Sequence, residues 1–391
     1  MKEKFEIVSV DTHSDLHNHT KGSDGKQSSF RFLLRASNKG KDIVSISDHD
    51  SVKGYKNLAN DLYSVIETIK EDKSYSSNKI GEIIEMLEGI KILKGTELIT
   101  SYNGCIIEVL GYNFDVDKME QEIERLKTTV EQKATDALYE GFNKIIEEKE
   151  IVFNREGLDE AYQKVKQEGR GGVVGPFFNE LLSHEENLPF LSYKDENGEE
   201  KIADNLKLFI NKHLYNKRSP FFVDMSKTRP SYEDTIEAIH RAEGITSLAH
   251  PGRYNDKFDV LENIDDMIEK GLDCVEVFYP DHSTEFRKAL LEKVQEHGIK
   301  ASGGSDDHHS VKEGIQYEMG RVAIPDIYET AWIQESVESG LDFVKGSEKM
   351  QEALRELKQL KEERQVKLKE KQELDKKIEI SKVNNGEKEY E

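Results

Sequence analysis

Cysteine is almost missing: Cys105 and Cys274 are the two in 391 residues, each inside an apolar run (Cys-Ile-Ile-Glu-Val-Leu and Leu-Asp-Cys-Val-Glu-Val-Phe). That scarcity argues against a disulfide scaffold or a thiolate zinc knot and leaves two buried free thiols as the expectation. Long apolar stretches are missing as well. None approaches the roughly 20 residues that a membrane helix needs, and Met1 to Val10 lacks the apolar segment of a secretion signal, so a cytoplasmic protein with no membrane partner is expected. Basic charge is in deficit. Against 78 Asp and Glu stand 56 Lys and Arg, for a formal net charge of −22. Such a molecule repels polyanions as a whole, which disfavours wrapping long nucleic acid but leaves room for a small anion at a local cationic site.

What is present is patterned. The length suits one large domain or a core that carries an insertion and a tail. From Phe5 to Tyr112, strand-like segments (Ile43 to Ser47, Ile90 to Lys94, Ile106 to Leu110) alternate with amphipathic ones, among them a helical excursion from Asp61 to Gly89. The alternation resumes near Ser231, with strands at Ile245 to Ala249, Leu272 to Phe278, Ile299 to Ser302 and Arg321 to Ile324. Helical patterns separate them, at Tyr232 to Ala242 and Ser283 to His297. Strand and helix in turn predict an α/β barrel or a doubly wound sheet. The division that follows is a first part of the barrel over 5–116, a mainly helical insertion over 117–230, a second part of the barrel over 231–345, and a charged C-terminal helix with a disordered tail over 346–391. No Gly or Pro interrupts the chain between Gly346 and Ile380, where Leu spacing (354, 357, 360, 368, 374) follows heptads loosely. Two readings stand open there: a solvated helix packed along the domain by a narrow stripe, or a coiled-coil contact with a protein partner or a second copy. Disorder is expected from Lys382 on.

The chemistry concentrates at strand ends. Asp15-Leu16-His17-Asn18-His19-Thr20 holds a His-x-His pair whose rings fall on one side of an extended chain, with Asp24 near enough to close on the same ion. Past further strands come Ser47-Asp48-His49-Asp50, Gly95-Thr96-Glu97, Ala249-His250-Pro251-Gly252 and Gly304-Ser305-Asp306-Asp307-His308. The carboxyl ends of strands are where α/β barrels and open α/β sheets build their sites. Imidazoles and carboxylates without thiolate suit manganese, iron or zinc, and there are more donors than one tetrahedral ion uses, which points to a multinuclear centre. Adjacent cations clamp phosphoryl oxygens and lower the pKa of water from about 15.7 towards about 7, supplying hydroxide for attack on phosphorus.

These motifs, with Ala-His-Pro-Gly-Arg-Tyr and Gly-Gly-Ser-Asp-Asp-His in the same order and spacing, resemble the PHP (polymerase and histidinol phosphatase) superfamily over about Asp11 to Ile324. The resemblance implies a distorted (β/α)7 barrel with a helical insertion and a long C-terminal helix, holding two or three divalent ions (Mn²⁺, Fe²⁺ or Zn²⁺). Carried over by motif, His17, His19, Asp24, His49, Glu97, His250, Asp306 and His308 are the ligands, with Glu97 bridging. Segments 231–254 and 276–283 are similar to the stand-alone phosphoesterase branch, which acts on nucleotide 3′,5′-bisphosphates or trims short RNA from its 5′ end. His282, in Tyr-Pro-Asp-His-Ser, is then a candidate to contact substrate or to protonate the leaving group, beside Asp306 and His308 as catalytic residues. Arg253, and Arg218 in a matching Lys-Arg-Ser-Pro, are candidate anchors for a non-scissile phosphate, or else surface ion-pair partners.

Two departures stand out. Glu108 occupies the place of a histidine in the family's Ile-His-Leu-Leu-Gly strand; it either ligates a hard divalent ion or pairs with a neighbouring base. Gly172 to Phe177 replaces a Gly-Arg-Pro-His element, and Lys133 stands where arginine is common. The function expected is hydrolysis of a phosphate ester of a nucleotide or short oligonucleotide. The alternatives are an accessory protein recruited to a nucleic-acid-processing partner through its C-terminal helix, or a phosphatase of another small metabolite such as histidinol phosphate.

Overall fold

A computed structural model of the chain describes residues 13–168, 172–195, 197–214, 216–224, 228–254, 258–309, 317–321, 332–333 and 348–386. The elements of the barrel are β1 (Ser14–Asp15), α1 (Ser29–Asn38), β2 (Ile43–Ile46), α2 (Lys53–Glu71), α3 (Ser77–Gly89), β3 (Lys91–Tyr102) and β4 (Cys105–Tyr112). The insertion supplies α4 (Val116–Glu148), α5 (Glu156–Glu168), α6 (Val174–Leu182), β5 (Ser192–Lys194), β6 (Glu200–Ile202) and α7 (Leu206–Phe209). There follow α8 (Tyr232–Arg241), β7 (Ile245–Leu248), α9 (Val260–Glu269), β8 (Cys274–Phe278), α10 (Thr284–His297), β9 (Lys300–Gly303) and α11 (Glu348–Gly386).

Seven strands form one sheet in the order β1-β2-β3-β4-β7-β8-β9. The pairs β1/β2, β2/β3, β7/β8 and β8/β9 are parallel, whereas β4 meets β7 antiparallel, with Val109 opposite Leu248. The edges nearly join. Leu16 N–H donates to Gly303 O (3.1 Å), Asp306 N–H to His17 O (2.9 Å) and His19 N–H to Asp307 O (3.0 Å), which bends the sheet into a barrel. β2 is buried at all four positions and β8 at all five, as strands covered on both faces should be.

Between β3 and β4 the chain turns at Asn103 and Gly104, with φ of 48° and 78°. Two consecutive positive φ values define the tight hairpin turn that Asn-Gly favours. The strand expected to stop at Lys94 therefore runs on to Tyr102, and Glu97 sits inside β3 rather than past its end. Gly95 looked like a strand terminus, but it serves close packing: a Cβ there would lie 2.1 Å from Ser45 Oγ. Of the strand expected over Arg321 to Ile324, residues 322–324 lie outside the described residues.

The chain divides into two compact units. The first comprises residues 1–98, 108–120 and 239–391. Its helical layer is built on Leu58, Leu62, Ile66 and Ile69 of α2 and Ile80, Ile84 and Leu87 of α3, closed by Met350, Ala353 and Leu357 of α11. Arg364 Nη2 caps the contact on Ile69 O (3.0 Å). Beyond Arg364 every described side chain of α11 is exposed, Val366, Leu368, Leu374, Ile378 and Ile380 included. The helix continues to Gly386, past the Lys382 at which disorder was expected. The second unit comprises residues 99–107 and 121–238 and has its own aromatic core of Phe142, Phe177, Phe178, Phe209 and Phe221. There the Phe142 and Phe177 rings stack at 3.8 Å.

Candidate metal centre

Six segments of the first unit bring their polar side chains to one end of the barrel. The run after β1 presents His17 and His19 with Asn18 between them; Asn18 bridges to Asp307, so the two imidazoles share the opposite side. His49, after β2, bridges to Glu97 in β3. Glu108 comes from β4 and His250 from the turn after β7, brought adjacent by the antiparallel ladder through the Ala249 N–H to Glu108 O bond (3.1 Å). Asp306 and His308 follow β9. Gly304 lets that last segment cross the first, since a Cβ would stand 2.3 Å from His17 Cβ. His250 and Asp306 both hold positive φ, 27° and 58°, a conformation that costs a non-glycine residue on the order of 1–3 kcal/mol.

The distances are those of donors around shared cations. Ligands about 2.1 Å from one ion lie about 3.0–3.4 Å from each other. Here His17 Nε2 is 3.2 Å from Glu97 Oε1, His19 Nε2 is 3.2 Å from Asp306 Oδ1 and 3.3 Å from Glu97 Oε2, and His49 Nδ1 is 3.0 Å from Glu97 Oε2. His250 Nε2 stands 3.0 Å from Glu97 Oε1 and 3.2 Å from Glu108 Oε2, and His308 Nε2 is 3.3 Å from Asp24 Oδ1. Three overlapping groups each have donor atoms within 4.8 Å of one another: His19–Asp24–His49–His308, His17–His19–Glu97–Asp306, and His49–Glu97–Glu108. All nine residues proposed as ligands from the sequence thus come together.

Their hydrogen bonding fits a cation. His17 Nε2, both nitrogens of His19, His49 Nδ1 and Glu97 Oε2 are buried without a hydrogen-bond partner among the described residues. Unsatisfied buried polar atoms are costly, and several aimed at one point suit an ion. The opposite ring nitrogens are tied down. His17 Nδ1 donates to Glu276 Oε1 (3.0 Å), His308 Nδ1 donates to Asp306 O (2.9 Å), and His250 Nδ1 pairs with Tyr254 Oη (3.1 Å). Such partners fix which nitrogen faces the metal. Burial opposes the charged form of His19 and His250, yet the neighbouring carboxylates raise both to about 9; for His19 these are Asp306 and Glu97, for His250 Glu108 and Glu97. Burial likewise disfavours ionised Glu97 and Asp306, but the histidines hold both well below the usual carboxylate range. The cluster is a field of fixed negative charge that takes up positive charge, as protons or as metal.

Some residues invisible to motif reading complete the site. Glu276, fully buried in the middle of β8, accepts from His17 Nδ1 and from the His250 N–H (2.6 Å). Its signal was a lone carboxylate in the apolar run Cys-Val-Glu-Val-Phe. Tyr279 donates to Asp306 Oδ2 (3.1 Å), and Arg253 Nη1 donates to the same oxygen (3.1 Å). A cavity of about 230 Å³ is lined by His49, Glu97, Glu108, His250, Arg253, Asp306, His308 and Tyr317.

His282 does something other than expected. Its Nδ1–H donates to Val277 O (2.9 Å) and its Nε2 accepts from the Gly252 N–H (3.0 Å). Burial pushes it down to about 4, so the ring is neutral and both nitrogens are committed to backbone. No proton is left for a leaving group; the ring latches the turn that carries His250 and Arg253. Gly252 is required there, since a Cβ would lie 2.6 Å from His282 Cδ2. Arg218 belongs to the second unit, in a turn where its backbone N–H donates to Asn216 Oδ1 (3.0 Å).

Among the described residues no helix is long and apolar enough to cross a membrane. No family model matches the chain. A 5′–3′ exoribonuclease of Haemophilus influenzae is 26% identical over 298 residues, 75% of this chain and 89% of that protein. A 3′,5′-nucleoside bisphosphate phosphatase of Chromobacterium violaceum is 24% identical over 298 residues, 75% of this chain and 86% of that one. Among solved structures, a protein of Bifidobacterium adolescentis described as a metal-dependent phosphoesterase aligns at 20% identity over 85% of this chain and 98% of its own, with a TM-score of 0.49. Along three quarters of its sequence the chain is thus similar to enzymes that hydrolyse phosphate esters, and it gathers imidazoles and carboxylates at one end of a seven-stranded barrel.

Proposed function

We propose that the chain hydrolyses a phosphate ester of a nucleotide or short oligonucleotide, in the manner of a 3′,5′-bisphosphate phosphatase or a 5′–3′ exonuclease. The observation that carries this reading is the convergence of nine imidazoles and carboxylates, several with buried atoms that make no hydrogen bond among the described residues, six of them lining a cavity that also holds Arg253. His17, His19, Asp24, His49, Glu97, Glu108, His250, Asp306 and His308 would hold two or three divalent ions, Mn²⁺, Fe²⁺ or Zn²⁺. Such ions supply Lewis-acid charge against phosphoryl oxygens and lower the pKa of water. The protein's own part is positional. Glu276 and Tyr254 orient His17 and His250, Tyr279 and Arg253 hold Asp306 by one oxygen so that the other faces His17 and His19, and the remaining Arg253 donors are left for a phosphate. Within the second unit, Arg218 is the candidate phosphate anchor and the helical insertion over 117–230 the candidate substrate subdomain. At about 230 Å³ the cavity is smaller than the roughly 300–1,000 Å³ of pockets that enclose a whole ligand, so it accommodates the phosphoryl end of a substrate whose remainder lies outside.

The test is an assay of the Mn²⁺-reconstituted protein on an aryl phosphate, nucleoside mono- and 3′,5′-bisphosphates and 5′-phosphorylated oligoribonucleotides. Phosphate or mononucleotide release from the nucleotide substrates is expected, and no release from any of them would end the proposal. A second reading, recruitment through the C-terminal helix as a coiled coil with a partner or a second copy, has one observation in its favour: the exposed apolar residues Val366, Leu368, Leu374, Ile378 and Ile380. Truncation after Arg364 with unchanged activity and oligomeric state would remove it.

A further inference from the structure

The three donor groups differ in hardness. His19–Asp24–His49–His308 offers three imidazoles and one carboxylate, His17–His19–Glu97–Asp306 two of each, and His49–Glu97–Glu108 one imidazole and two carboxylates. A neutral imidazole has one lone pair for a metal, and His49 is shared between the first group and the third. If His49 serves Asp24 and His308, the third group keeps two carboxylates against one imidazole, that of His250 at 3.0 Å from Glu97 Oε1 and 3.2 Å from Glu108 Oε2, and is the group richest in oxygen. Oxygen donors suit manganese and magnesium, whereas imidazole suits zinc and iron. The group is aimed at a ligand: Glu97 is fully buried, its Oε2 and His49 Nδ1 lie 3.0 Å apart with neither making a hydrogen bond among the described residues, and Glu108 lines the cavity.

Resting on the reading of this cluster as a metal centre, we propose that Glu108 makes the His49–Glu97–Glu108 group a site for a hard divalent cation, Mn²⁺ or Mg²⁺, beside imidazole-rich positions that take zinc or iron. The centre is then heterometallic by donor chemistry, and Glu108 is the residue that sets the difference. Its contact with His250 Nε2 (3.2 Å) is the ion pair that the cation replaces on binding.

The full-length protein is stripped with a chelator, dialysed against equal concentrations of Mn²⁺ and Zn²⁺, and its bound metals counted by mass spectrometry beside Glu108→Gln and Glu108→His, with circular dichroism to verify folding. Zinc binds most nitrogen and oxygen sites more tightly than manganese, so the informative quantity is the ratio between variants. The Mn²⁺ to Zn²⁺ ratio of the wild type should exceed that of Glu108→His by about tenfold or more. Glu108→Gln should lose manganese and keep its zinc. Equal ratios in wild type and Glu108→His would overturn the role of Glu108 and leave the metal centre standing, and the same holds if Glu108→Gln retains its manganese. A wild type that binds neither metal overturns the centre itself. Should Glu108→Gln fail to fold, the Glu108→His comparison decides alone.

Discussion

Two buried regions of the first unit obey opposite rules. The layer made by α2, α3 and α11 packs Leu, Ile and Met against one another, and among the described residues these helices bury no side-chain nitrogen or oxygen without a hydrogen bond. The cluster at the barrel end buries imidazoles and carboxylates with donor atoms unpartnered and two backbones at positive φ. The first region lowers the free energy of the fold, and the second is held in place by it. Residues in the helical layer should therefore govern stability, and residues in the cluster should govern metal and chemistry.

The sharpest break between them is Asp306→Asn. Asparagine tolerates the left-handed backbone that Asp306 adopts, so the fold should survive, while losing a carboxylate that faces His17 and His19 should lower kcat/KM about a thousandfold or more. Steady-state kinetics beside a thermal melt separates the two effects. Leu357→Ala is the converse. This fully buried side chain should cost about 2–5 kcal/mol in denaturant unfolding, with activity retained at temperatures where the variant stays folded. Glu276→Gln touches the cluster from behind: the amide cannot accept from both the His17 ring and the His250 N–H, and affinity for Mn²⁺ by calorimetric titration should fall about 10- to 100-fold. The smallest effect is on pH. His19 and His250 are raised from 6.5 to about 9 in the metal-free protein, so the stability they add is complete below pH 6.5 and lost as pH rises through 9. Denaturant unfolding of the metal-free protein should therefore show a progressive loss of stability from pH 6.5 to pH 9. Mn²⁺ must displace the same protons, so its stabilising increment in a melt should be larger at pH 9 than at pH 6.5.

Much of the centre was legible because its chemistry falls at strand ends, where a histidine or carboxylate in an otherwise apolar stretch has few structural reasons to be. His17, His19, His49, His250, Asp306 and His308 could be read that way. Glu97 was found for a partly wrong reason, since Gly95 suggested a strand end where β3 in fact continues into a hairpin. Glu276 was missed because one carboxylate among five buried strand residues carries no spacing signal of its own; only the pairing of β8 with β7 and β9 brings it under His17 and His250. His282 was read as a candidate to contact substrate or to protonate the leaving group, but a sequence does not say which backbone groups will occupy a ring, here Val277 O and the Gly252 N–H. The barrel was legible from alternation of strand and helix. The antiparallel meeting of β4 and β7 was not, since period and composition carry no strand direction.

The direct measurement is anomalous diffraction at the manganese edge from crystals of the Mn²⁺-loaded protein. Peaks among His17, His19, Glu97 and Asp306, and among His49, Glu97 and Glu108, are the expected result. Loaded crystals with no anomalous density among these residues would contradict the claim that they converge on shared cations.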